Sequence, residues 1–252
     1  MKKIDKLFIE DEIRTKIARR GDPVQLKKSY SGSLKMKNPN TPMFWDEKLS
    51  RENSGFNDTM TQDRVEYAVK LVPNSIKELL DMGVGQGYFT KEVKRKIQSV
   101  KIFGVDISLE GLKEIKDTIP GNYFVASALS LPFKKKKKFD LISIFEVLEH
   151  ISYNHTFRVL AQIKNLLKNK GILLASVPIN ENYTSRNNPN GHLRKYSKEL
   201  FIAELKLAGF KVIRYKEFFA FSNLYNLKKI LAKLLPNRWK PNLILIEAVT
   251  RK

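Results

Sequence analysis

The sequence predicts an α/β fold: a seven-stranded, mostly parallel sheet with helices on both faces and an N-terminal helical cap. Three observations carry this. From Ile76 onward, short apolar runs alternate with stretches whose apolar residues recur at helical spacing, an order that folds as parallel strands joined by crossover helices. The first run passes into three glycines at alternate positions, Gly83, Gly85 and Gly87, and then directly into a helical pattern. The second run ends on Asp106, which puts a carboxylate at the carboxyl edge of the sheet beside the glycine turn.

Each element follows in order. Residues 1–60 carry no strand signal and read as a cap or mobile segment, with residues 61–252 forming the main domain. Within the cap, residues 7–20 suit a charged helix, and 21–42, rich in Gly, Ser, Asn, Pro and Lys, suit a loop. Phe44 and Trp45 form an aromatic pair. Residues 61–71 are helical and stop before Pro73. The first strand runs from Ile76 to Asp81, and the helix after the glycines spans 88–98. Residues 100–105 form the second strand, and Ser108 caps the helix Leu109–Thr118. Strands follow at Asn122–Val125 and Phe139–Phe145. A helix at 153–167 leads past Gly171 to a strand at 172–177, closed by Pro178. The helix at 197–208 ends before Gly209, and the last strands are Phe210–Phe218 and Leu243–Thr250.

Composition narrows the classes. The 252 residues contain no cysteine, which removes disulfides and cysteine-ligated zinc. No run has the length of a membrane span, and the first residues are charged throughout, so the expected location is cytoplasmic, with peripheral membrane attachment open. The net charge of +21 favours anionic partners, or is lysine spread over a solvated surface. The lysine run 134–138 enters a strand at the amino edge of the sheet and reads as a solvated turn. Between the last two strands, about 222–236, lies an inserted basic amphipathic helix. Residues 225–240 contain no acid. Such a helix packs its apolar face on the domain, or lies on an anionic membrane surface through residues 223–240.

The glycine turn limits the ligand. Position 88 is Tyr88 where a dinucleotide site needs glycine, and the Lys-Ser/Thr of a phosphate loop is absent. A ligand without a phosphate to cradle is expected, with Asp106 accepting hydrogen bonds from ribose hydroxyls and Asp81 meeting a cationic group. The runs DMGVGQG, GVDIS, SALSLPF, FDLISIFEVLEHI and LLKNKGILLASVP, in this order over about residues 60 to 252, resemble the motifs of class I S-adenosylmethionine-dependent methyltransferases. The resemblance implies a Rossmann-like fold and S-adenosyl-L-methionine as cofactor. It implies a cofactor site built from Asp81, Gly83, Gly85, Gly87, Asp106, Ile107, Ser127, Ala128, Leu129 and Phe145. Ser127 stands where the family has an Asp that meets the adenine amino group.

The acceptor end carries less pattern. Glu146, Glu149 and His150 fall at i, i+3 and i+4, one side of a helical turn. The set is a candidate site for a divalent cation such as Mg²⁺, with the oxygens favouring magnesium. The same E-x-x-E-H pattern is similar to one in ubiquinone-biosynthesis O-methyltransferases and small-RNA 2′-O-methyltransferases. His192, in the polar loop after the fifth strand, is a candidate general base or a further ligand, and His150 shares both roles. His155 reads as a surface residue. The expected reaction is O-methylation of a small molecule such as a sugar, a lipid-linked intermediate or a quinone precursor. RNA is the alternative acceptor, and a non-catalytic module on the same fold is the alternative of another class.

Overall fold

The computed structural model describes residues 8–31, 38–51, 59–134, 136–182, 188–221, 224–235 and 238–251. The start of the first expected helix at Leu7, residues 32–37 of the expected loop, Lys135, and positions 222–223 and 236–237 of the basic insertion lie outside that description.

Seven strands form one sheet: β1 (Glu78–Met82), β2 (Lys101–Asp106), β3 (Asn122–Val125), β4 (Phe139–Phe145), β5 (Leu167–Pro178), β6 (Phe210–Phe218) and β7 (Leu243–Thr250), in the order β3-β2-β1-β4-β5-β7-β6. The pairings from β3 to β5 are parallel, while β7 is antiparallel to both β5 and β6. The central strands are buried on both faces. Leu79, Leu80 and Met82 of β1 and Leu141, Ile142 and Ile144 of β4 are inaccessible, as a parallel strand covered by helices on both faces requires.

The helices are α1 (Ile9–Arg20), α2 (Pro23–Lys28), α3 (Pro42–Arg51), α4 (Thr59–Leu71), α5 (Tyr88–Lys96), α6 (Leu109–Thr118), α7 (Tyr153–Leu166), α8 (Lys198–Leu207) and α9 (Tyr225–Leu234), with a 3-10 turn at Leu148–His150. Ser108 caps α6 by accepting from the Gly111 amide at 3.0 Å, and Ser197 caps α8 by accepting from Leu200 at 3.1 Å. Gly209 ends α8 in the left-handed region, at φ 86°. Several boundaries differ from expectation, among them two at β5 and β1. Leu167 belongs to β5, not to the helix before it, and Gly171 lies inside that strand, because β4 pairs with β5 across a register shift beginning at Phe139–Leu167. Strand β1 extends one residue past Asp81 to Met82.

The expected loop 21–42 also differs. Asp22 accepts from the Gln25 amide and Pro23 opens α2, so a short capped helix forms there. Helices α1 and α2 pack on the domain around buried charge. The Arg194 guanidinium donates to Asp11 (3.0 Å), Thr156 (2.8 Å) and Glu204 (2.5 Å), and it is inaccessible to solvent. Tyr30 donates to Glu204 as well, and Arg14 stacks over Tyr30 and Tyr153. At the opposite, amino edge of the sheet, Lys137 pairs with Glu78 and Lys168 with Asp140, where the lysine run was expected.

Candidate active site

At the carboxyl edge of β1, β2 and β4 the chain encloses a cavity of about 250 Å³. Its floor is the glycine turn, and the three glycines have different tasks. Gly83 lies against Val147, which a Cβ would meet at 2.3 Å. Gly85, at φ 49°, faces open space and lines the cavity. Gly87, at φ 73°, does not line it: a Cβ there would meet the Ile115 side chain at 2.2 Å, so this glycine lets α6 pack against the turn.

Asp106 lines the cavity and is buried. Its carboxylate accepts from the Gly85 amide and the Ser108 amide, both at 2.8 Å, which fixes it beside the glycine turn. Burial raises its pKa, and the two amides work against that rise. Ile107, Ser127, Ala128, Leu129 and Phe145 line the same cavity. Asp81 does not. Its two oxygens accept from Thr90 of α5 (2.6 Å) and Ser143 of β4 (2.7 Å), behind the cavity wall. Burial pushes its carboxyl up to about 6. In this structure the side chain braces β1 to α5 and β4.

The end expected to take the acceptor is built by the 3-10 turn and the loop that crosses it. The carbonyl of Glu149 accepts from the amides of Leu193 (2.8 Å) and Arg194 (3.1 Å), which ties the loop to the end of β4. This brings Glu149, His150 and His192 together, with one potential ligand atom from each lying within 4.8 Å of the others. All three are buried, and neither carboxylate oxygen of Glu149 has a hydrogen-bond partner among the described residues. Burial, then the nearby Glu146 charge, raises the Glu149 pKa well above the carboxylate range. Burial, with His192 next to it, pushes the His150 imidazole down to about 3, so it is neutral at physiological pH. Nδ1 of His192 lies 2.9 Å from a Glu181 oxygen, a carboxylate that sets the ring's orientation.

Glu146 does not join this group. It sits at φ 53°, and its carboxylate turns to the Ser176 hydroxyl (2.8 Å) and the Arg64 guanidinium. The left-handed backbone breaks the helical turn that the i, i+3, i+4 spacing assumes. The expected Glu146–Glu149–His150 set is thus corrected to Glu149–His150–His192. With two nitrogens and one carboxylate it does not support the magnesium preference, which rested on oxygens. His155 contacts the Ser152 hydroxyl at the start of α7 and does not line the cavity.

Sequence reasoning did not assign roles to several residues here. Trp45 of α3 closes the cavity against His150, and Asn40 lines it while donating to the Gly191 carbonyl at 2.9 Å. Asp46 accepts from the Ser108 hydroxyl (2.6 Å) and the Glu110 amide (3.1 Å), pinning α3 to α6. The Phe44–Trp45 pair in a polar segment was the available signal for Trp45. Asn40 and Asp46 had none beyond composition.

Residues 50–215 match the family model described as a methyltransferase domain. An uncharacterized protein of Methanocaldococcus jannaschii is 29% identical over 189 residues, 74% of this chain and 79% of that relative. A ubiquinone biosynthesis O-methyltransferase of Nitrosococcus oceani is 30% identical over 111 residues, 43% of this chain and 46% of that enzyme. Among solved structures, the N-methyltransferase NodS of Bradyrhizobium japonicum in complex with S-adenosyl-L-homocysteine superposes with a TM-score of 0.63 at 13% identity, covering 84% of this chain and all of that one. The chain belongs to the methyltransferase-domain family, and it is a class I S-adenosylmethionine-dependent methyltransferase with the Rossmann-like sheet of that class.

Proposed function

We propose that the enzyme methylates a hydroxyl group of a small molecule held between Trp45 and the Glu149–His150–His192 group. The observation that carries this is the buried trio itself. An amine can attack a sulfonium methyl unaided, whereas a hydroxyl must lose its proton, and a site for handling that proton stands beside the cavity. Gly83, Gly85, Asp106 and Ile107 hold the ribose and methionine parts of S-adenosyl-L-methionine, and Ser127, Ala128 and Leu129 its adenine. The acceptor oxygen attacks the methyl carbon in line as the carbon–sulfur bond breaks, releasing S-adenosyl-L-homocysteine. The protein's contribution to that step is mainly alignment, since the cofactor is already activated. His192, oriented by Glu181, takes the hydroxyl proton.

The unpartnered Glu149 carboxylate favours a second reading of the same trio. A buried carboxylate without donors is costly, and a bound cation removes that cost. Glu149, His150 and His192 would hold such an ion, and two imidazoles with one carboxylate suit zinc or another first-row metal better than magnesium. When bound, it would lower the pKa of an acceptor hydroxyl.

Both readings are tested by following S-adenosyl-L-homocysteine release over a panel of hydroxylated and amine acceptors. The enzyme is stripped with chelator and then supplied with zinc, manganese or magnesium. Turnover on hydroxyls alone is expected. Turnover on amines alone would sink O-methylation, and full activity in chelator would sink the cation. An RNA panel belongs in the same assay, because the net charge of +21 makes a ribose hydroxyl the competing acceptor.

A further inference from the structure

Helix α9 is built the wrong way round for a helix that completes a core. None of its residues is buried. Polar contacts tie it to the domain: the Tyr225 hydroxyl donates to Asp63 of α4 at 2.8 Å, and Lys229 pairs with the same carboxylate. Most of its apolar side chains point outward, with Leu231 half-buried. Leu224, Leu227, Ile230 and Leu234 are 68%, 52%, 57% and 69% exposed, and their spacing of three to four residues makes one continuous stripe. The expectation that this helix packs its apolar face on the domain is therefore not met.

The rim of the stripe is basic. Lys228 and Lys233 flank it on the helix, and Arg238 and Lys240 follow, with no acidic residue between 225 and 240. Trp239 stands among them against Phe221, at 5.7 Å between ring centroids. An aqueous protein gains nothing by exposing such a stripe, whereas an apolar face edged with lysines complements a bilayer whose surface is anionic.

Position adds to the argument. Phe218, Leu243 and Pro178 stand in one row across β6, β7 and β5, and α9 is inserted between the first two. The insertion therefore leaves the sheet at the carboxyl edge, the edge that carries the cavity. The same turn of α4 serves both: Asp63 anchors α9, and the next residue, Arg64, holds Glu146 in the cavity lining.

We infer that α9 is a membrane-surface helix that seats this enzyme on anionic lipid with its cavity edge toward the bilayer, and that its acceptor is an amphiphile presented from that surface. The second half rests on the methyltransfer reading above. The first stands without it.

The test uses the full chain and flotation with vesicles of phosphatidylcholine and phosphatidylglycerol in equal parts, against phosphatidylcholine alone. Wild type should float with the anionic vesicles and not with the neutral ones. Lys228→Glu with Lys233→Glu should weaken partitioning at least about fivefold for each residue. Leu227→Glu with Ile230→Glu and Leu234→Glu should abolish it. These side chains are exposed, so S-adenosylmethionine titration of both variants should match wild type and serves as the folding control. Wild type that stays off anionic vesicles, or variants that float equally well, overturn the inference. A dimer in light scattering that the leucine variant breaks, without vesicle binding, also overturns it, because the stripe then covers a second copy. Failure of wild type to bind S-adenosylmethionine would instead count against the methyltransferase reading and leave the flotation result standing.

Discussion

Trp45 and His150 meet edge to face, with ring centroids 4.8 Å apart and planes at 85°. His150 in turn meets His192 at 4.8 Å. One ring comes from α3, one from the end of β4 and one from the loop after β5. The proposed acceptor end is thus a junction of three segments far apart in the chain. Trp45→Ala should lower kcat/KM for the acceptor by about tenfold or more while changing the S-adenosylmethionine Kd less, since an edge-to-face pair and its burial together are worth about 1–3 kcal/mol. Steady-state kinetics alongside calorimetric titration separates the two effects. A loss confined to cofactor affinity would place Trp45 at the wrong end.

Asp106 and Gly85 act as a unit. Asp106→Ala removes two amide bonds to a carboxylate and the proposed acceptor for ribose, each worth about 1.5–3 kcal/mol. The cofactor Kd should rise at least about 100-fold, read by calorimetry. Gly85→Ala puts a methyl group into open space and should weaken cofactor binding with about 1 kcal/mol lost in stability. Gly87→Ala should do the reverse, costing about 2–4 kcal/mol in denaturant unfolding because its methyl collides with Ile115.

Asp81 gives a pH signature. Its folded-state pKa is raised from 3.8 to about 6 by burial. The unfolded chain releases this proton first, so the contribution to stability is complete below about pH 4 and is lost as pH rises toward 6, about 3 kcal/mol in all. Asp11, also pushed up to about 6, acts in the same direction. Thermal melts of the cofactor-free protein across that window should show a shallower fall in Asp81→Asn than in wild type. An unchanged slope would mean that Asp81 is ionised throughout.

Glu149→Gln separates stability from activity. Its carboxylate is buried without a donor, so replacing it with an amide should stabilise metal-free protein by about 1–3 kcal/mol, a rise in Tm of about 2–10 °C. The same variant should lose turnover, along with any rise in Tm that zinc gives wild type. A variant that is both less stable in chelator and fully active would refute the assignment.

The sheet was legible in the chain because a parallel strand buried on both faces must be an apolar run, and runs such as Leu141–Ile144 leave little choice of structure. The glycine turn with an acid beside it was legible because glycine spacing and the strand-end Asp106 are local patterns. The partners of Asp81, Thr90 and Ser143, come from other elements and have no local signature in the chain. Glu146 was misplaced because its left-handed backbone cannot be read from an i, i+3, i+4 spacing. The role of Glu149 with His192 needed the loop amides of Leu193 and Arg194 to be located first, and that contact spans more than forty residues. Helix α9 was legible as amphipathic, but the direction of its apolar face depended on Asp63, in a distant helix.

The Arg194 pair with Asp11 bears on how this chain can change over time. Arg194 follows His192 by two residues, and Asp11 lies well before residue 50, where the family match begins. Loss of Asp11 leaves the buried Arg194 with Glu204 and Thr156, and loss of Arg194 leaves Asp11 beside Arg14, so each loss weakens a buried ionic network, at up to about 3–5 kcal/mol. Substitutions at these two positions should therefore be inherited together. A lineage that discards the first helix loses the acid that ties this arginine to it, so the covariation of positions 11 and 194 across relatives would mark which of them share the packing of the first helix on this loop.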